Sequence, residues 1–286
     1  GVQAVCSSDL ELLSESLFAQ VDPAVLPSAT LTTQRRFDFM RSRLGLESDR
    51  PPDDENTIEV SEHNVLSPFE FQEQVQILVP TDLPGPEAGG SAFHEETAGV
   101  IADFSGVTDG GLFALFTSYG ALRAVARALR ERGMDQRWPL YVQGEGDRHR
   151  QLGAFVDSGR GILLGTSSFW EGVDVPGEPL RGLVIQKLPF RVPTEPVTAA
   201  RMEAIAGRGL DPFQHFMLPH AALRLKQGFG RLIRSRSDRG TVLILDDRVV
   251  RKRYGRYLRD SLPDAPFHKG PWPEIRRRLH DFYEGP

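Results

Sequence analysis

Apolar positions change their pattern part-way along this chain. From Gly110 onward, short continuous apolar runs alternate with stretches at helical spacing. Leu112-Phe113-Ala114-Leu115-Phe116 is apolar throughout, as expected of a strand buried on both faces. Thr117-Ser118-Tyr119 follows it, and then a helical pattern from Gly120 to Arg132. Leu140-Tyr141-Val142 predicts a short strand leading into Gln143-Gly144, with a helix over Asp147 to Val156. Gly161 to Thr166, Gly182 to Leu188 and Thr241 to Leu245 predict three more strands. A periodic stretch from about Pro219 to Arg236 predicts a helix, and the amphipathic stretch Trp272 to Tyr283 predicts the last one. Such alternation implies an α/β fold, a parallel sheet with right-handed crossovers and helices on both faces.

The first hundred residues are less regular. Ser8 to Gln20 predicts a helix, with Leu10, Leu13, Leu17 and Phe18 on one face. Ala24 to Leu31 reads as a short strand ending in small hydroxyl residues, although Pro27 interrupts its hydrogen-bonding capacity. Glu47 to Glu62 is polar, acidic and Pro-containing, hence a loop. Val75 to Val79 predicts a strand, Pro80 to Gly90 a linker, and Phe93 to Phe104 a helix. The expected division is an N-terminal segment (1–46) packing with the main lobe, an excursion with one strand (47–109), and an α/β domain (110–286).

Composition is that of a globular protein, with 40% hydrophobic and 26% charged residues. No apolar run reaches the length of a membrane span, and the first residues lack a signal-peptide layout, so no membrane partner is expected. The chain opens without Met and in mid-pattern, as a piece of a longer protein would. One cysteine, Cys6, leaves no ligand set for a disulfide framework or an iron–sulfur cluster within this chain, and a cytosolic setting is expected. The net charge of −5 conceals a polarity. Residues 45–103 carry 14 acidic side chains and one basic, whereas residues 220–259 carry 12 Lys/Arg and three Asp. The basic region can face phosphates.

Within that region lies Gln227-Gly228-Phe229-Gly230-Arg231-Leu232-Ile233-Arg234. On a helix, Gln227, Arg231 and Arg234 would share one face and form a donor array suited to a polyphosphate. A solvated basic face is the alternative. The two glycines argue against it, because each costs about 1 kcal/mol in a helix interior. Earlier in the chain, Gly165-Thr166-Ser167-Ser168-Phe169-Trp170-Glu171-Gly172-Val173-Asp174-Val175-Pro176-Gly177 begins where a buried strand should end. In open parallel sheets, ligands bind beyond the carboxyl ends of the strands. Here Ser167 and Ser168 can donate to phosphate oxygens, Asp174 can accept from a ribose hydroxyl, and Trp170 offers a stacking face.

These stretches resemble the motifs of superfamily 2 helicases, in particular the XPD/DinG branch. Gln227 to Arg234 is similar to motif VI, and residues 165–177 to motif V. Thr117-Ser118-Tyr119 resembles motif IV, and Ser28-Ala29-Thr30 resembles motif III. The continuation of the latter through Thr32-Thr33, Phe37-Asp38-Phe39 and Arg43-Leu44-Gly45-Leu46 is also similar to that branch. The resemblance runs in order from about Ser28 to Pro263. It implies a second RecA-like motor lobe of an ATP-dependent DNA helicase moving 5′ to 3′ along single-stranded DNA in a bacterial cytosol, in repair or damage response. Arg231 and Arg234 would then reach the γ-phosphate of ATP, and Gln227 would position the attacking water or the phosphate. Glu171, Gly172, Asp174 and Gly230 would line the nucleotide. Ser118, Tyr119, Gln143, Ser167 and Trp170 would face single-stranded DNA.

No Gly-x-x-x-x-Gly-Lys-Ser/Thr loop occurs in the sequence, nor an Asp-Glu-x-His motif after a strand. Leu243-Ile244-Leu245-Asp246-Asp247 imitates a Walker B strand, but it follows motif VI, and Asp246 is expected as a strand-end cap or salt-bridge partner. ATP and Mg²⁺ would be held mainly by a first RecA-like lobe of the same parent protein, with no metal site in this chain. An iron–sulfur cluster in the parent is left open. A non-catalytic nucleic-acid-binding scaffold with the same fold, or half of an RNA helicase, are the alternatives.

Overall fold

The apolar runs assemble into one seven-stranded sheet in the order β3-β4-β2-β5-β6-β1-β7, with every neighbouring pair parallel. Its strands are β1 (Val75–Pro80), β2 (Leu112–Phe116), β3 (Leu140–Val142), β4 (Ile162–Thr166), β5 (Gly182–Ile185), β6 (Gly240–Ile244) and β7 (Phe267–Gly270). The computed structural model describes residues 18–46, 58–86, 90–166 and 180–284, except Asp22, Ala29 and Leu66. Its helices include α1 (Asp38–Leu44), α2 (Phe71–Gln74), α3 (Ser91–Thr108), α4 (Tyr119–Glu131), α5 (Arg148–Ser158), α6 (Pro196–Gly207), α7 (Leu218–Phe229) and α8 (Trp272–Glu284).

The sheet is apolar on both faces because helices cover both. Leu112, Ala114 and Phe116 of β2 cluster with Ile162, Leu164, Val184 and Leu243, and with Phe104, Leu122, Val125, Ile275 and Leu279 from α3, α4 and α8. The alternate positions Phe113, Leu163, Leu183, Val242 and Ile244 are buried as well and point the other way. On that second face Phe155 of α5 meets Tyr141 edge-on, with ring centroids 6.2 Å apart. There too Leu232 packs so tightly on β6 that a Cβ added at Gly240 would sit 2.5 Å from its Cγ.

The chain divides into two compact units, and the sheet lies wholly in the larger: Ser67–Pro189, Arg224–Arg256 and Leu262–Pro286. It draws β1 and α3 from the stretch 47–109, with β1 seated between β6 and β7. The smaller unit comprises Gly1–Leu66, Phe190–Leu223 and Tyr257–Ser261. Its core is Phe39, Phe216 and Met217, with Phe190, Met202, Ile205, Phe213 and Leu223 packed around them. The guanidiniums of Arg43 and Arg201 lie 5.8 and 5.9 Å from the centroid of Phe216. Burial, and then the neighbouring charges of Arg201 and Arg191, push the pKa of Arg43 down to about 10.

Two expected elements differ. Residues 23–28 form no strand and are exposed, with Val25 79% accessible. Pro27 cannot donate to a ladder, and the described part of Ala24 to Leu31 makes no strand pairing. The helix expected to run to Arg236 stops at Phe229. Beyond it, Arg231 and Leu232 donate to the carbonyls of Gly228 and Phe229, three residues back, and the chain then leaves helical geometry. Gln227, Arg231 and Arg234 therefore do not share a helix face. The helix expected over Ser8 to Gln20 lies outside the described residues except for Phe18–Gln20, a single 3-10 turn.

Candidate nucleotide and nucleic-acid site

At the carboxyl ends of β2, β3 and β4 three of the sequence-derived residues come together. Ser118 caps α4, its Oγ accepting from the Ala121 N–H at 3.2 Å. Tyr119 opens the helix and is 47% exposed. Its hydroxyl accepts from Gln143 Nε2 at 2.7 Å. The other end of that amide, Gln143 Oε1, accepts from the N–H and the hydroxyl of Thr166 at 2.6 and 3.0 Å. Gln143 is thus a buried brace between two strand ends. Thr166, not among the expected site residues, is the last residue of β4 and the second residue of the motif V stretch. Ser167, Trp170, Glu171, Gly172 and Asp174 lie outside the described residues.

The motif VI residues occupy the turn that follows α7. Gln227 lies in its last turn, Gly230 just beyond it, Arg231 in the turn, and Arg234 on the loop that leads to β6. Gly230 N–H still donates to Lys226 O at 3.0 Å. A Cβ at Gly230 would meet only Lys226 O at 3.5 Å and Gln227 O at 3.8 Å, so neither backbone angle nor a described neighbour demands glycine there. Burial lowers the pKa of Arg231, and the nearby charge of Arg148 at the start of α5 lowers it further. Burial lowers that of Arg234 too, against an opposing pull from Asp238. Lys226 is lowered by burial alone.

Asp238 organises the loop. Its Oδ2 accepts from the backbone N–H of Arg234 and of Ser235, both at 2.8 Å, and its Oδ1 from the Ser235 hydroxyl at 2.5 Å. Burial would raise its pKa, but these hydrogen bonds and the charge of Arg234 leave it below its usual value. Asp246 behaves as a strand-end salt-bridge partner, in keeping with the sequence. It is fully buried, accepts from Leu188 N–H at 2.9 Å and pairs with both Nε and Nη2 of Arg248 at 2.7 and 2.6 Å. Gln186, the residue just after β5, is 2% exposed and its Nε2 has no hydrogen-bond partner among the described residues. Such an orphaned donor costs about 1–3 kcal/mol, and it stands at the ligand edge of the sheet. Periodicity gave no hint of it. Among the described residues no group of three His, Cys, Asp or Glu is placed to hold a metal ion, and no helix is long and apolar enough to cross a membrane.

A family model described as the helicase C-terminal domain matches residues 101–265, more than half of the chain and all of the elements just described from β2 through β6. The chain belongs to the helicase C-terminal domain family. Among curated relatives, the Bacillus subtilis protein named 3'-5' exonuclease DinG is 38% identical over 88% of this chain and 26% of its own length. ATP-dependent DNA helicase YoaA of Escherichia coli is 38% identical over 85% of this chain and 36% of its own length. The Mycobacterium tuberculosis ATP-dependent helicase DinG is 38% identical over 88% and 36%. The chain therefore spans roughly a quarter to a third of the relatives it matches. A solved XPD helicase superposes with a TM-score of 0.51 at 16% identity, covering 68% of this chain and 35% of that one. That likeness concerns the fold, and it agrees with the RecA-like α/β sheet expected of a helicase C-terminal domain.

Proposed function

We propose that this chain is the second motor domain of an ATP-dependent DNA helicase and completes an ATPase site split between two lobes. The observation that carries this reading is the motif VI turn. Two half-buried arginines follow a helix end, on a loop fixed by Asp238, in a sequence with no phosphate-binding loop of its own. A guanidinium already stripped of part of its hydration gains more from a phosphate than a fully hydrated one, because the local dielectric is lower. Arg231 and Arg234 would supply the donors that stabilise charge spread over the phosphoryl oxygens during transfer. Gln227 would orient the attacking water or the terminal phosphate. Gly230, which no described neighbour requires, leaves room for the triphosphate to approach the backbone. The first lobe would hold Mg²⁺, which would supply positive charge to offset that of the phosphates.

The second contact of the domain is single-stranded DNA. Ser118 and Tyr119 stand at the exposed start of α4, where backbone N–H groups and the helix dipole favour a phosphate. The brace from Gln143 fixes the Tyr119 hydroxyl relative to Thr166, so a strand bound at one would be held in register with the motif V stretch. Ser167 and Trp170 would extend that track, and Glu171, Gly172 and Asp174 the nucleotide edge. Contacts to sugar and phosphate carry little sequence preference, as translocation in the 5′-to-3′ direction requires.

Arg231→Ala in the helicase that carries this chain tests the reading. DNA-stimulated ATP hydrolysis is expected to fall by about 10³- to 10⁵-fold with nucleotide binding retained. Wild-type turnover in that variant removes the assignment. Comparing stimulation by single-stranded DNA and by RNA then separates a DNA helicase from an RNA helicase.

A further inference from the structure

The loop that carries Arg234 is held from outside the motif. Gln74, the last residue of α2, sits immediately before β1 and is 6% exposed. Its Nε2 donates to two backbone carbonyls, Ser235 O and Asp238 O, both at 2.9 Å. Its Oε1 accepts from the Glu70 N–H at 2.9 Å. All of the amide's hydrogens and one face of its oxygen are therefore engaged. At the other end of the same short helix, Phe71 meets Phe229 edge-on, with centroids 5.6 Å apart. Phe229 is the last residue of α7. The two end residues of α2, Phe71 and Gln74, thus touch the polypeptide just before Gly230 and just after Arg234, bracketing both arginines.

Asp238 ties the loop to itself, whereas Gln74 ties it to the strand in the middle of the β6-β1-β7 group. A primary amide suits this task. It donates twice to carbonyls and accepts once from an N–H without adding charge beside the arginines. A carboxylate would repel both carbonyls, and an apolar side chain would take the amide donor from Asp238 O and leave Ser235 O only the long 3.4 Å hydrogen bond from Asp238 N–H.

We propose that Gln74 is a positioning residue for the motif VI arginines, setting where Arg234 stands when the phosphate arrives. This rests on the reading of Arg231 and Arg234 as phosphate-stabilising groups. Because the contact is made to loop backbone, its loss misplaces the guanidinium without removing it. A displacement of about 1 Å at such a group can lower turnover by about 100-fold.

The test uses the helicase that carries this chain, in three variants: Gln74→Leu, Gln74→Glu and Arg234→Ala. Steady-state ATP hydrolysis with saturating single-stranded DNA gives kcat and KM, and thermal melting gives the folded fraction at the assay temperature. Gln74→Glu keeps the size and the acceptor, so it tests the two donated hydrogen bonds even if the leucine variant folds poorly. The expected result is a fall in kcat of about 10- to 100-fold in both Gln74 variants, with KM for ATP within about threefold of wild type and the folded fraction unchanged. A kcat within twofold of wild type in Gln74→Glu, alongside an inactive Arg234→Ala, overturns the positioning role and leaves the parent reading standing. So does a loss that only tracks the folded fraction. An Arg234→Ala variant with full turnover overturns the parent reading itself.

Discussion

Gln143 is held as a brace between the start of α4 and the end of β4. Its amide oxygen takes two hydrogen bonds from Thr166 and its nitrogen gives one to Tyr119. Replacement by leucine removes both hydrogen bonds that Thr166 gives to the Gln143 amide oxygen in a buried place, at a cost of about 1–3 kcal/mol. Gln143→Leu is therefore expected to lower the urea midpoint and to weaken single-strand binding, whereas Tyr119→Phe, which removes one hydroxyl at a half-exposed ring, changes stability little. Asp238 gives a pH prediction at the same scale. Its pKa lies below the ordinary 3.8 in the folded protein, so its stabilising contribution is complete above that value. As pH falls through the lower folded value, the contribution is lost. Stability measured between about pH 5 and 2 should fall less steeply in Asp238→Asn than in the wild type. The residue types of motif VI and motif IV were legible in the sequence. Their supporting contacts were not, since Gln74 reaches partners 161 and 164 positions away and no local period encodes that.

At the scale of elements, the strands of the larger unit were legible because helices cover both faces, leaving unbroken apolar runs at β2, β4, β5 and β6. β7 escaped notice for the opposite reason. It is an edge strand of Phe267, His268, Lys269 and Gly270, only half-buried, with no apolar run to betray it. The end of α7 was misjudged because the apolar spacing continues through Leu232 and Ile233. Both are buried, yet they reach the interior from a turn and a loop, with Leu232 seated on Gly240. That seat gives a packing test. Gly240→Ala is expected to destabilise the protein by about 1–3 kcal/mol through overpacking. Adding Leu232→Ala should cost less in that background than it does in the wild type, which denaturant unfolding of the four-member cycle will measure.

For the whole molecule, the proposed split of the ATPase site between two lobes predicts the behaviour of the chain alone. Arginines can stabilise a phosphoryl group in flight but cannot hold the rest of the nucleotide, so the purified 286-residue chain is expected to hydrolyse essentially no ATP. Robust turnover by it, measured as phosphate release, would sink the idea of a site completed by another lobe. The strand order carries a separate consequence for synthesis. β1 has its two neighbours in β6 and β7, and Val75 pairs with Gly240 across 165 residues of chain. At translation rates of about 5–20 residues per second, β1 leaves the ribosome roughly 10 to 30 s before either neighbour exists. For that interval Val75-Gln76-Ile77-Leu78-Val79, all interior residues in the finished fold, stand unpaired on the nascent chain. This segment is where a cellular chaperone should engage, and where newly made protein is most prone to aggregate when synthesis outpaces folding.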